Sequence, residues 1–334
     1  MKQYCTSTVF MLAPQRHGSN KTQSLLSANN HHLFGPYPPI PRQAFMSLET
    51  ELGDRLLEEI VRSSNLSPRP LVAEGVPISC EEVKRELELR HLPEDVLGIS
   101  LALGHLGAKH AGQSNARILC KSPDNLEVVE QFRDGFEDTT YVHLIRDPRA
   151  VWNSARGTPR GPQTPHASAL KWADYHARVL SLAQEIPLIT LKYEELMLHP
   201  ETELERACNF LDIPFSDEML EDYDSVEAKS AASTNPELWG NLANPVMQSR
   251  IDAWKRELPE NEIEIIENSC SSVMAAYSYE PIFPSKTLTD VEKIYQPEFE
   301  AKSNVAEPRK QQLLHLEQLK SALLPNEGNL NATP

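Results

Sequence analysis

Nine residues near the start of the chain, Pro14-Gln15-Arg16-His17-Gly18-Ser19-Asn20-Lys21-Thr22, combine the groups that bind an anion. Arg16 supplies a permanent cation, Ser19 and Asn20 supply side-chain donors, and Gly18 lets the backbone approach a ligand closely. If a helix opens just after Gly18, its free N–H groups and the positive end of its dipole face the same ligand. A Walker A loop ending at Lys21-Thr22 would need glycines at positions 15 and 20, where Gln15 and Asn20 stand, so an ordinary P-loop nucleotidase is not expected. A plain strand-to-helix turn also fits these residues.

A second cluster lies at Arg146-Asp147-Pro148-Arg149, with Ser154 eight residues beyond Arg146. Asp147 and Pro148 have the types that cap and open a helix, which leaves Arg146 for a ligand. Ligands of open α/β sheets bind outside the carboxyl ends of the strands, so Arg16 and Arg146 are expected to face one crevice. Two anion sites on one edge fit a nucleotide phosphorylated at two positions; a charged turn capped by Asp147 is the plainer alternative.

The elements that must position these groups are legible in outline. Thr8 to Ala13 is a nearly continuous apolar run, as a strand buried on both faces requires, and a helix is predicted from Lys21. Further strands are predicted at Arg117 to Cys120, Thr140 to Ile145 and Pro187 to Tyr193, with helices from Asn125 to Phe132 and from Ala150. Strand alternating with helix predicts an α/β protein, a three-layer sandwich around a mostly parallel sheet. One domain is expected over residues 1–284. Residues 285–334 form a polar tail whose only periodic feature is Leu313, Leu316, Leu319 and Leu323. The Pro/Gly-rich stretch Thr158 to His166 and the segment Phe34 to Pro41 are expected to shape an acceptor pocket.

Over 334 residues, 32 Lys+Arg against 48 Asp+Glu give a net charge of −16, which argues against nucleic acid as a partner. The acid is unevenly spread. Residues 1–48 hold no Asp or Glu and four bases, Lys2, Arg16, Lys21 and Arg42, and residues 141–200 carry seven bases against five acids. Both anion-binding clusters therefore sit in the locally positive stretches. No apolar run is long enough to span a membrane and no signal peptide is evident. The five cysteines are scattered and lack metal or disulfide spacing, so no metal and a cytoplasmic location are expected.

The stretch Val9 to Leu26 resembles the 5′-phosphosulfate loop of sulfotransferases that use 3′-phosphoadenosine 5′-phosphosulfate (PAPS), and Tyr141 to Arg156 resembles their 3′-phosphate motif. The segments Lys121-Ser122-Pro123-Asp124-Asn125, Leu191 to Phe215 and Arg250 to Leu258 are similar to further blocks of that family, so the matches run in order over about residues 8–282. The resemblance implies a P-loop NTPase-like sulfotransferase fold and sulfuryl transfer from PAPS, as co-substrate, to a hydroxyl or amine. The acceptor would be a small molecule, lipid, glycan or peptide.

By the same resemblance Arg16, Gly18, Ser19 and Asn20 hold the 5′-phosphosulfate, and Arg146 and Ser154 the 3′-phosphate. Tyr193 lies near the nucleotide, Arg250 and Lys255 return to the 3′-phosphate, and Lys121 stabilises charge on the leaving phosphate. The family's Ser-Gly-Thr-Thr appears as His17-Gly18-Ser19-Asn20, and Pro123 replaces the histidine that is the base in one branch. The glutamate base of the tyrosylprotein branch would fall at Pro36 or Tyr37. His31 and His32 are the nearest titratable residues, with Glu49 farther on; His32 is the expected base. The alternative is a non-catalytic protein that binds a 3′,5′-phosphonucleotide.

Overall fold

Alternation along the first strand sets the layers. A computed structural model of the protein describes residues 4–29, 32–35, 42–65, 77–156, 158, 162–221, 233 and 250–284. The chain opens with β1 (Tyr4–Leu12), α1 (Ser19–Ser27) and the short β2 (Leu33–Phe34). Four helices follow, α2 (Arg42–Leu52), α3 (Leu56–Asn65), α4 (Cys80–Leu89) and α5 (Val96–His110). Then come β3 (Arg117–Lys121), α6 (Asn125–Phe132), β4 (Phe136–Ile145), α7 (Pro148–Ala155), α8 (Pro165–Leu182) and β5 (Leu188–Lys192). The described chain ends with α9 (Tyr193–Leu198), α10 (Pro200–Leu211), α11 (Glu218–Glu221), α12 (Trp254–Glu257) and α13 (Glu260–Ala276).

The strands form one five-stranded sheet in the order β2-β3-β1-β4-β5, with every pair parallel. In β1, Phe10 and Leu12 point into a core shared with α2 to α6 and α8. Val9 and Met11 point the other way, into a core shared with α1, α9 and α10. All four are fully buried. A strand whose successive side chains meet two separate cores must be the middle of a three-layer sandwich. A third cluster, built around Trp152, Trp172, Trp254 and Ile266, closes α7, α8 and α13 over the end of β4.

The parallel α/β sandwich is as the sequence predicts, and α6 spans the predicted residues. β4 begins four residues earlier than its apolar run because its first half is half-exposed at the sheet's amino end. The tail 285–334 and its leucine-spaced segment lie outside the described residues. Register aligns Met11 with Lys121, Leu12 with His143 and Ile145 with Lys192. The turns after β1, β3, β4 and β5 therefore leave from one edge of the sheet.

Candidate active site

Between β1 and α1 the chain turns through two left-handed residues, Arg16 at φ 71° and Gly18 at φ 87°, and Gly18 is the N-cap of α1. Glycine is required here on two counts. A Cβ on Gly18 would lie 2.3 Å from the Tyr193 ring, and the positive φ disfavours any side chain. Arg16 carries the left-handed conformation at a cost of roughly 1 kcal/mol, and its surroundings hold it there. Its Nε donates to Ser154 Oγ at 3.1 Å, and its carbonyl accepts from Arg146 Nη1 at 3.1 Å. The Arg146 guanidinium lies 4.5 Å from the centre of the Tyr193 ring. Five expected site residues, Arg16, Gly18, Arg146, Ser154 and Tyr193, thus meet in one place from three separate turns.

This cluster is short of negative charge. Burial, then the nearby Arg146 and Arg250 guanidiniums, pull Arg16 below its ordinary value. Arg146 is buried, and its Nε is shielded from water without a hydrogen-bond partner. A buried donor in that condition costs free energy until an acceptor arrives. On the other side of the turn, Lys121 Nζ donates to Asn20 Oδ1, so the end of β3 closes on the first turn of α1. The N–H groups of that first helical turn open between Lys121 and the arginine cluster. Two cationic arms flanking a helix N-terminus suit an extended ligand with anionic groups at both ends.

Ion pairs keep the neighbouring turns rigid. Asp147 caps α7 by accepting from Arg149 N at 2.8 Å, and Pro148 takes the first helical position, as expected. Arg149 is spent on that framework, paired with Asp147 at 2.6 Å and Glu267 at 2.5 Å. Glu194 accepts from Asp147 N and from Tyr279 Oη, both at 2.9 Å. Under β3, Arg42 reaches from α2 to Asp124 at 2.8 Å and to Asn125 Oδ1 at 2.6 Å. Burial would raise the Asp124 carboxyl, but the Arg42 guanidinium and the Ser122 hydroxyl more than reverse it, holding it below the usual range.

Not every expected residue joins the cluster. His32 precedes β2 at its amino end, where its carbonyl accepts from Arg117 N at 2.9 Å. Leu33 pairs with Arg117, four residues before Lys121 on a parallel strand, so His32, one residue earlier still, sits about 16 Å along the sheet from the ligand edge. That distance removes it as a base for a group held at Lys121. Lys255 is engaged elsewhere, paired with Asp252 at 2.9 Å on an exposed helix and 5.6 Å from the Trp254 ring. Ser154 is the seventh residue of α7, and Tyr193 begins α9 rather than ending a strand. His166 belongs to α8, bonded to Ser269, instead of to a pocket loop. His31, Pro36 and Tyr37 lie outside the described residues, as does most of the stretch from 34 to 41. Arg42 and His176 carry no sequence motif, while Glu194 and His143 lie inside the segments Leu191 to Phe215 and Tyr141 to Arg156 with no role assigned there.

Among the described residues no group of three or more His, Cys, Asp or Glu is placed to hold a metal ion. No helix among them is long and apolar enough to cross a membrane, and Cys80, Cys120, Cys208 and Cys270 are free thiols.

Comparison with known proteins bears on the same residues. The family described as "Sulfotransferase family" matches residues 8–217, and one described as "Sulfotransferase domain" matches residues 163–278. The chain is 25% identical over 182 residues to "Protein-tyrosine sulfotransferase A" of Caenorhabditis elegans, covering 51% of this chain and 47% of that protein. It is 25% identical over 163 residues to "Putative protein-tyrosine sulfotransferase" of Caenorhabditis briggsae, covering 47% of this chain and 58% of that one. The chain thus spans about half the length of the curated relatives it matches. Among solved structures, the sulfotransferase domain of the Synechococcus PCC 7002 olefin synthase has a TM-score of 0.56 at 18% identity, covering 85% of this chain and 97% of that one. The sulfotransferase domain from the curacin biosynthetic pathway has a TM-score of 0.51 at 17% identity, covering 84% and 99%. These two likenesses are of fold.

Proposed function

Because this chain belongs to the sulfotransferase family, we propose that it transfers the sulfuryl group of PAPS to a hydroxyl of a protein or small-molecule acceptor. The observation that carries the donor assignment is the meeting of Arg16, Arg146 and Tyr193 at one edge, with Arg146 Nε buried and without a partner. Arg146 and Ser154 take the 3′-phosphate, and Tyr193 packs beside it. The turn Arg16-His17-Gly18-Ser19-Asn20 and the first N–H groups of α1 take the 5′ end, with Gly18 leaving room for close approach. Lys121 reaches the same end through Asn20.

In the transfer, the acceptor oxygen forms a bond to sulfur as the bond from sulfur to the 5′-phosphate oxygen breaks. The acceptor proton passes to a base, and the departing phosphate oxygen takes the electron pair. The described residues contribute position and charge: Lys121 and the α1 amides oppose the negative charge that grows on the leaving oxygen. The scattered cysteines favour a cytoplasmic setting.

Calorimetry with 3′,5′-adenosine bisphosphate tests the donor assignment. Binding is expected, and Arg146→Ala should weaken it about 10- to 100-fold, the effect of losing charge-assisted hydrogen bonds. No binding at millimolar ligand would overturn the proposal. A protein that binds the bisphosphate but never consumes PAPS with any hydroxyl acceptor is a non-catalytic nucleotide binder instead.

A further inference from the structure

The family's serine before the loop glycine is His17 here, and its ring is almost wholly buried. His17 Nδ1 lies 3.0 Å from the Gln15 carbonyl, and its Nε2 lies 3.0 Å from His176 Nε2 on α8. His176 Nδ1 in turn lies 2.8 Å from His143 Nε2 on β4, and His143 Nδ1 lies 3.1 Å from Thr190 Oγ1 on β5. His143 and His176 are both fully buried.

With all three rings neutral, one assignment of protons satisfies every contact. A carbonyl only accepts, so His17 Nδ1 carries a proton and its Nε2 is a bare acceptor. His176 must then donate from Nε2 and accept at Nδ1, which requires His143 to donate from Nε2. His143 Nδ1 accepts from the Thr190 hydroxyl. An added proton on His17 Nε2 would reverse the donors along the chain until His143 Nδ1 donated to the Thr190 hydroxyl, so burial away from negative charge, rather than the contacts alone, keeps the rings neutral. Burial is the leading cause that pushes His17 and His143 down to about 3 and His176 well below its ordinary value. Arg146 and Lys171 press on His17 in the same direction, and His143 and His17 press on His176. The rings of Trp172, Tyr175 and Tyr277 face His176 and supply no negative charge, and the Tyr277 hydroxyl donates to the His176 carbonyl.

We infer that His17, His176 and His143 are positioning residues: a relay of three neutral imidazoles that anchors the 5′-phosphate turn to α8 and the central sheet. The relay fixes His17 between the two left-handed residues Arg16 and Gly18, so the turn's N–H groups and Arg16 are set before ligand arrives. A serine at this position could not span from the turn to α8. The inference rests on the donor reading above, since it assigns this turn to the 5′ end of the nucleotide.

The test compares two probes that differ only at that end, 3′,5′-adenosine bisphosphate and adenosine 3′-phosphate, by calorimetry. In the wild type the bisphosphate should bind more tightly; if neither probe binds, the donor reading fails. His17→Leu should weaken the bisphosphate about tenfold, the scale of one lost buried hydrogen bond, and leave adenosine 3′-phosphate within about twofold. His17→Gln, whose carbonyl can accept from His176, should restore most of the preference. A wild type that binds both probes, with His17→Leu weakening both equally or neither, overturns the relay while leaving the donor reading intact. Nitrogen-15 spectra of the wild-type histidines give an independent reading that needs no variant. At pH 6, His17 should be the Nδ1–H tautomer and His143 and His176 the Nε2–H tautomer, all neutral. A charged ring, or the opposite tautomer at any of the three, overturns the inference.

Discussion

At the scale of single residues, the site depends on what is absent from Gly18 as much as on what Arg16 and Arg146 carry. Three features coincide at that position: a left-handed backbone, the N-cap of α1, and a Tyr193 ring where a Cβ would go. Gly18→Ala should therefore cost roughly 2–4 kcal/mol of stability, from backbone strain and forced displacement of Tyr193. It should also cost nucleotide affinity, because Tyr193 is what Arg146 rests against. Urea unfolding with calorimetry checks both; an alanine variant of unchanged stability would show that the turn relaxes freely. The glycine was legible in the sequence because few residues serve at a strand-to-helix anion turn. The Tyr193 contact was not, because it joins turns 175 residues apart.

Among the elements, α2 is tied to the turn after β3 by one buried ion pair. Arg42 meets Asp124 and Asn125, while Asn125 Nδ2 donates to the carbonyls of Met11 and Cys120. The chain uses Asn125 to join β1 to β3 just below the edge where Lys121 emerges. Arg42→Ala would leave the Asp124 carboxylate buried and unpaired, so a loss of about 3–5 kcal/mol is expected. Equilibrium denaturation measures it, and a loss below about 1 kcal/mol would mean water reaches Asp124. The strands and α6 were readable from apolar runs and turn residues. The helices α2 to α5 have no chemistry-bearing motif, and what they contribute at the site is one arginine. The short β2 stayed hidden because two paired residues leave no periodicity, and its register is what places His32 at the wrong end of the sheet.

Across the whole molecule, buried imidazoles set how stability depends on pH. Burial pushes His17, His143 and His105 down to about 3, and His176 well below its ordinary value. The unfolded chain, with histidines near 6.5, then binds more protons than the folded one between about pH 3 and 6.5. Their contribution is complete above that window and is lost as pH falls through it, by about 1 kcal/mol per imidazole between pH 7 and 5.5. Glu194, whose carboxyl burial raises, acts with the opposite sign but as a single group. Urea midpoints should therefore drop steeply from pH 7 to 5.5, and a flat profile would refute the neutral buried state. The charge pattern of the chain acquires a spatial meaning at this scale. The two locally positive stretches, 1–48 and 141–200, supply Arg16 and Arg146 to one cluster, within a molecule of net charge −16. The sequence by itself determined the parallel α/β sandwich and the capping roles of Asp147 and Pro148, because each follows from residues close together in the chain. Only the tertiary structure decided that Arg16 meets Ser154 and Arg146, that Arg149 serves the framework, that His32 stands apart and that His17 joins a relay. Those outcomes depend on strand order and register, which bring distant turns to one edge and are set by the packing of all three layers together.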